Sequence, residues 1–428
     1  MNEPDLADLL REHARAHPVP GAAVGVLRQE VETFAFCGVA DVRVGAPVTA
    51  ESRFGVGSLT KSMVATTVCR LAEDGRLSLD DPIAAHVPEL HGATWAERAT
   101  VCDLLANRSG LPLRAQLEFD FASDEDEDDA VLSRFAARLA AEEPTTVPWS
   151  YTNAGWCVLG RAIETVTGSP WEESMRANLL LPAGMGETTA GEPARGHRVC
   201  GHEVTADGWV TVEPLATRRL GPAGTSVVST IGDMARFAAL HLENPSLAGM
   251  RRLHAEPRID GWLDGWGLGW AWFDWGGDPV WGWDSVLNGE RAVLRLVPEQ
   301  HAAVVMMTNG GNGRALCRSL LGDLMDRCFG ITVPALRLTP SPGAAGDLSR
   351  FAGVYEWPDR RWEVTVRDAC LVITREDDVV QALPVDERTF LVDAADPDTP
   401  TVTFGEFDDS GRPGVVYDML WALPRDRS

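Results

Sequence analysis

A proline- and glycine-rich stretch, Thr339-Pro-Ser-Pro-Gly-Ala-Ala-Gly346, divides this 428-residue chain into two kinds of sequence. Before it, helical and strand-like hydrophobic periods are mixed. After it, short apolar segments alternate with turn residues: Trp362, Val364 and Val366, then Leu371 and Ile373, then Val402 and Phe404. Alternation of period two over short runs predicts a small antiparallel β domain. The expected organisation is therefore a large α+β unit over 1–338, a linker over 339–346 and a small β domain over 347–428. The length suits one large domain plus a small one.

Within the long part, residues 5–16 read as an amphipathic helix. Gly21–Leu27 and Val31–Phe36 read as neighbouring strands. Val64, Val68 and Leu71 recur at helical spacing, and Gly75 is a natural stop. A second helix is expected over Thr230–Leu242, strands over Val280–Val286, Ala292–Val297 and Ala302–Thr308, and a closing helix over Leu316–Cys328. The acidic run Asp124–Asp129 is expected to be a solvated loop.

Bulk properties exclude several functions. The net charge is −25, which disfavours a nucleic-acid partner and an anionic membrane surface. No run of 18 apolar residues offers a membrane span. Eight cysteines are scattered without a CxxC pair, and nine histidines show no metal-binding spacing. No metal or organic cofactor is expected. With no leader-like segment at Met1–Asp5, a cytoplasmic location with reduced thiols is expected.

The chemistry concentrates on one residue. Lys61 is the single lysine, and arginine supplies every other basic side chain. Arginine cannot give up its proton in a protein, whereas a buried lysine can. Lys61 stands three residues after Ser58 at the start of a buried helix, so both side chains share one face. A serine hydroxyl becomes a nucleophile when a neighbouring base takes its proton. Lowering a lysine from about 10.4 to near 7 requires about 4.6 kcal/mol of desolvation and positive potential. The helix N-terminus contributes positive potential and offers N–H groups to an oxyanion. Tyr151 and Asn153, in Tyr-Thr-Asn, add a phenol that can shuttle a proton and an amide that can orient lysine and substrate.

SxxK followed about 90 residues later by YxN resembles the serine β-lactamase and penicillin-binding-protein superfamily, above all its class C-like branch of esterases, D-aminopeptidases and transacylases. The likeness covers roughly residues 10–330. It extends to Leu104-Leu-Ala-Asn-Arg-Ser-Gly-Leu-Pro112 and Gly221-Pro-Ala-Gly224. The resemblance implies a β-lactamase-like fold: an antiparallel sheet flanked by helices, a mostly helical subdomain and a lipocalin-like C-terminal appendage. It implies Ser58 as nucleophile, Lys61 as base, and Tyr151 and Asn153 as the second motif.

The third motif departs from the family. Where Lys-Thr-Gly or His-x-Gly would stand, this chain has Trp283-Asp284-Ser285, followed by Val286, and these four residues with Asn153 are expected to line the oxyanion and substrate site. The cationic or imidazole group is gone, so β-lactamase and carboxypeptidase activities are not the expectation here. Backbone donation to an oxyanion needs only an N–H, and is expected from Ser58 and Val286. Seven tryptophans crowd residues 262–283, readable either as core packing or as an aromatic wall that limits water. The expected function is acyl transfer from a small ester or amide through Ser58. The acceptor is an amine, or water in a plain esterase or amidase. A non-catalytic ligand-binding module on the same fold is the alternative from another class.

Overall fold

The computed structural model describes residues 6–29, 31–111, 128–145, 147–191, 197–213, 217–336, 339–357, 359–375, 378–392 and 401–426. Among the described residues the five longest helices belong to the long part: α1 (Leu6–Ala16), α2 (Leu59–Glu73), α3 (Ala154–Thr167), α4 (Ile231–Glu243) and α5 (Gly313–Phe329). Its main sheet is built from β1 (Gly21–Arg28), β2 (Val31–Asp41), β3 (Ala46–Pro47), β4 (Gly265–Trp266), β5 (Ala271–Phe273), β6 (Val280–Leu287), β7 (Glu290–Val297) and β8 (Ala302–Thr308). The spatial order is β3-β2-β1-β8-β7-β6-β5-β4, and the pairs are antiparallel. β8 is buried along its whole length, as its continuous apolar run requires of a central strand.

Strand alternation sends successive side chains to opposite faces. On β1, Val26 lies beside Leu6 and Leu324, so α1 and α5 cover that face. Gly25 approaches Ile231, so α4 covers the other. Helix α2 is buried on nearly every side. Its Thr66 and Thr67 hydroxyls are satisfied along the helix, Thr66 donating to the Ser62 carbonyl at 2.7 Å and Thr67 to the Met63 carbonyl at 2.9 Å. Thr230 caps α4 by accepting from the Asp233 N–H at 3.2 Å.

The C-terminal β domain is an eight-stranded meander from β9 (Gly353–Trp357) to β16 (Trp421–Pro424), with β15 (Pro413–Asp418) next to last. A bridge between Tyr355 and Arg425, with the Asp426 N–H on the Val354 carbonyl at 2.8 Å, brings the two ends together into a near-barrel. Its interior holds Phe351, Phe390 and Phe404. Trp357, Val415, Tyr417, Leu420 and Ala422 instead join the core of the long part. The linker stretch also packs. Ala345 is buried, and the Ser341 N–H reaches the Pro384 carbonyl at 2.7 Å.

Of the acidic run, residues 124–127 lie outside the described residues. Asp128 and Asp129 are exposed and pair with Arg134 at 2.8 Å and Arg218 at 3.0 Å.

The loop entering α2 is clamped from several sides. The Gly55 N–H donates to Glu290, a buried carboxylate held by Arg198. The Val56 N–H donates to the Val227 carbonyl at 3.1 Å. The Ser285 hydroxyl donates to the Val56 carbonyl at 2.5 Å. Gly224 presses on the same loop with φ +136°, and a Cβ there would lie 2.6 Å from the Gly57 carbonyl and 2.8 Å from the Ser58 nitrogen. Backbone cannot yield as a flexible side chain can. Gly224→Ala should therefore cost about 3 kcal/mol in urea unfolding and displace Ser58.

Because the two parts of the chain share a core, thermal unfolding of the whole protein should be one transition by calorimetry and by tryptophan fluorescence. Two separated transitions would show that the shared core contributes little.

Candidate active site

Ser58 occupies the N-cap of α2, half-buried, with φ −61° and ψ −9°. Lys61 lies one turn on and is 1% exposed. Its Nζ is 3.1 Å from Ser58 Oγ and donates to the Ala223 carbonyl at 2.5 Å. The Tyr151 ring face lies 4.8 Å from the same nitrogen. Burial disfavours the charged amine, while the carbonyl and the ring face favour it. These contacts aim the amine at the hydroxyl. Ala223 belongs to Gly221-Pro-Ala-Gly224, a stretch recognisable in the sequence whose role there was unassigned. In the fold it seats the lysine and presses against the Ser58 loop.

Tyr151 is buried in an aromatic cluster. Its ring stacks on Trp283 at 5.1 Å and 19°, and meets Trp266 edge-on at 5.9 Å. Trp266 and Trp283 cross at 5.0 Å and 87°. Such geometries suit the ring quadrupoles. Asn153 heads α3, where its carbonyl accepts the Trp156 and Cys157 N–H groups. The Ser150 N–H donates to the carbonyl of Asn107, a buried residue at φ +56° that also accepts the Trp156 indole N–H at 3.2 Å. The Leu104–Leu111 segment thus scaffolds the Tyr151 loop; Pro112 lies outside the described residues.

Strand β6 runs beside the Ser58 loop, and its alternation separates the expected third-motif residues. Trp283 and Ser285 face α2 and Tyr151. Ser285 spends its hydroxyl proton on the Val56 carbonyl, so its side chain pins the loop. Asp284 points to the opposite face, where it pairs with the buried Arg295 at 2.6 Å. Arg295 in turn lies over the Phe273 ring at 4.1 Å. Its side chain is therefore turned away from Tyr151 and Lys61, a correction to the sequence expectation imposed by the two-residue strand period. The Val286 side chain is exposed, and its backbone passes next to Gly57, with its carbonyl 3.1 Å from where a Gly57 Cβ would stand.

The tryptophans divide likewise. Trp266 and Trp283 line Tyr151, whereas Trp270 packs on Phe237 and His241 in the core. Trp262 and Trp275 line a cavity of about 270 Å³ across β6, with Asp284, Arg295 and Arg314. That cavity meets the Ser58 side only through Ser285 and Val286, and its lining excludes Ser58, Lys61 and Tyr151. The candidate site is therefore placed by Ser58, Lys61 and Tyr151 and not by this cavity. Among the described residues no three His, Cys, Asp or Glu side chains converge as a metal site, and no helix is long and apolar enough to cross a membrane.

Two further contacts had no signal in the sequence. The Tyr151 N–H donates to the Leu420 carbonyl at 3.0 Å, and the Ala422 N–H donates to Ser150 Oγ at 3.1 Å. They join residues about 270 positions apart.

The chain is similar to known proteins over most of its length. The Beta-lactamase family model matches residues 6–319. Penicillin-binding protein 4 of Amycolatopsis lactamdurans is 31% identical over 364 residues, covering 79% of this chain and 94% of the relative. The crystal structure of SurE superposes with a TM-score of 0.82 at 28% identity, covering 98% of both chains. A class C beta-lactamase from Rhodobacter sphaeroides shares the fold over 75% of this chain and 99% of its own, at 22% identity and a TM-score of 0.62. The chain belongs to the beta-lactamase family, within the superfamily of serine β-lactamases and penicillin-binding proteins.

Proposed function

We propose that this chain is a serine acyl-transfer enzyme working through a Ser58 acyl-enzyme. The observation that carries the reading is the Lys61 amine 3.1 Å from the Ser58 hydroxyl at the head of a buried helix. Lys61 takes the hydroxyl proton as Ser58 Oγ attacks the carbonyl carbon of an ester or amide. The negative charge on the carbonyl oxygen rests on the Ser58 and Val286 N–H groups. Tyr151 gives a proton to the leaving group as its bond to the carbonyl breaks. An amine or water then attacks the acyl-enzyme, losing a proton to the Tyr151 phenolate, and the Ser58 Oγ–acyl bond breaks as the Lys61 ammonium returns a proton to Oγ. Asn153 orients the lysine and the substrate.

Two features favour an amine as acceptor. Trp283 replaces the family's charged group with an apolar ring stacked on Tyr151, and Trp266 closes the same cluster. A site that limits water spares the acyl-enzyme from hydrolysis. For the acyl group, one similar structure is SurE with D-Leu, at 27% identity, a TM-score of 0.80 and 98% coverage of both chains. We therefore assign the donor a D-configured residue at its reacting carbonyl. Plain hydrolysis is the competing outcome of the same acyl-enzyme.

A panel of activated esters of N-acetyl-D- and L-amino acids, with and without added amines, tests this. Amide product should dominate, with the D series preferred. Full-rate acid release unaffected by amine would leave an esterase. A mass adduct on Ser58 from a fluorophosphonate separates either enzyme from a binding module.

Lys61→Arg keeps a positive charge and similar reach but cannot accept a proton. Acylation should fall at least about a hundredfold, the lower range for losing a general base. Turnover close to wild type would reduce Lys61 to a fixed charge.

A further inference from the structure

Tyr151 is gripped from two directions by segments far apart in the chain. On one side the Ser150 N–H is tied to the Asn107 carbonyl at 3.0 Å. On the other the turn between β15 and β16 reaches across from the C-terminal β domain. There the Leu420 carbonyl accepts the Tyr151 N–H at 3.0 Å, and Ser150 Oγ accepts the Ala422 N–H at 3.1 Å. The contact is backed by side chains. Trp149 and Tyr417 meet at 6.2 Å and 58°, and Leu420 and Ala422 are buried in the same core as Tyr151.

The turn itself is tight. Asp418 pairs with Trp421, leaving Met419 and Leu420 as a two-residue connection, and Met419 sits at φ +55°. A bulky side chain there is disfavoured by about 1–2 kcal/mol, and glycine is the usual residue at such a position. Strain of this kind persists where surroundings over-determine it, and it gathers at functional sites. The stem is fastened nearby: Arg360 pairs with Asp418 at 3.0 Å and lies over the Trp421 ring at 4.9 Å.

We propose that the Met419–Ala422 segment, acting on Tyr151 through the Leu420 carbonyl and through Ser150, is a positioning device for Tyr151, so that the C-terminal β domain sets which leaving groups the site can expel. The inference rests on the reading of Ser58 as nucleophile and Tyr151 as proton donor. The Tyr151 O–H gives its proton to the leaving oxygen or nitrogen while the electron pair of the breaking bond goes to that atom. An alkoxide or an amine needs this proton to depart. A nitrophenolate departs without it. A slightly misplaced Tyr151 therefore penalises poor leaving groups and spares good ones.

The test uses the full-length protein and two esters of N-acetyl-D-leucine, ethyl and p-nitrophenyl, with acylation of Ser58 followed by mass. Ser150→Ala removes the acceptor for the Ala422 N–H. Ethyl ester acylation should drop at least about tenfold and p-nitrophenyl acylation less than about threefold. Ser150→Thr, which retains the hydroxyl, should restore the wild-type ratio. In a Tyr151→Phe background the Ser150→Ala effect should vanish, since coupled residues are non-additive. If Ser150→Ala folds poorly, Tyr417→Leu loosens the Trp149 contact and is held to the same ratio. Equal losses on both esters, or an effect that survives Tyr151→Phe, would overturn the proposal while leaving the acyl-enzyme intact. Failure of both esters to acylate the wild type would instead remove the Ser58 reading on which it stands.

Discussion

The rest of this structure depends on one buried amine. Lys61 carries the chain's single ammonium-type side chain into a core where it is almost wholly shielded from water. Taking such a group out of water costs several kcal/mol unless partners compensate. Ser58 Oγ, the Ala223 carbonyl and the Tyr151 ring supply the partners, and each comes from a different segment. In the proposed reaction the amine accepts a proton, a part that arginine could not take.

Holding those segments in register explains much of the architecture around the site. The Ser58 loop is fastened to β6 through Ser285, to β7 through Glu290, and to the Gly221–Gly224 stretch by close backbone approach. The Tyr151 loop is fastened to Asn107 and to the C-terminal turn. Both loops are tied to backbone by directional hydrogen bonds, which keep distances in a way that apolar packing alone does not. The aromatic cluster of Tyr151, Trp266 and Trp283 then fills the space between them. Trp283, where the resemblance would place a lysine or histidine, is thus held in a packed apolar contact with Tyr151 and Trp266.

The fold was largely legible where a local period carries the information. The expected helix over 5–16, the strands from Val280 and Ala302, and the helix after Thr230 lie within a residue or two of α1, β6, β8 and α4. The alternating tail became an eight-stranded near-barrel. The site was legible in part. Ser58 and Lys61 are three residues apart on one helix, so their approach follows from helical geometry. Asp284 was grouped with Trp283 by motif position, yet neighbours on a strand face opposite ways, and Arg295 holds it on the far side. The tryptophan-rich stretch read as one wall but serves a core, a site and a separate cavity.

What the sequence by itself determined is therefore local. It placed a serine and a lysine on one turn of a buried helix, and a phenol and an amide at the head of another. It also marked the change of hydrophobic period at the linker. What only the tertiary structure decided is the surroundings of those groups: the Ala223 carbonyl on the amine, Trp283 stacked on Tyr151, and the Leu420 carbonyl reaching in from the C-terminal domain. The reason is physical. Side-chain periodicity is written into neighbouring residues, whereas a backbone carbonyl accepts a hydrogen bond regardless of the side chain beside it, and so leaves no mark in the sequence until the chain has folded.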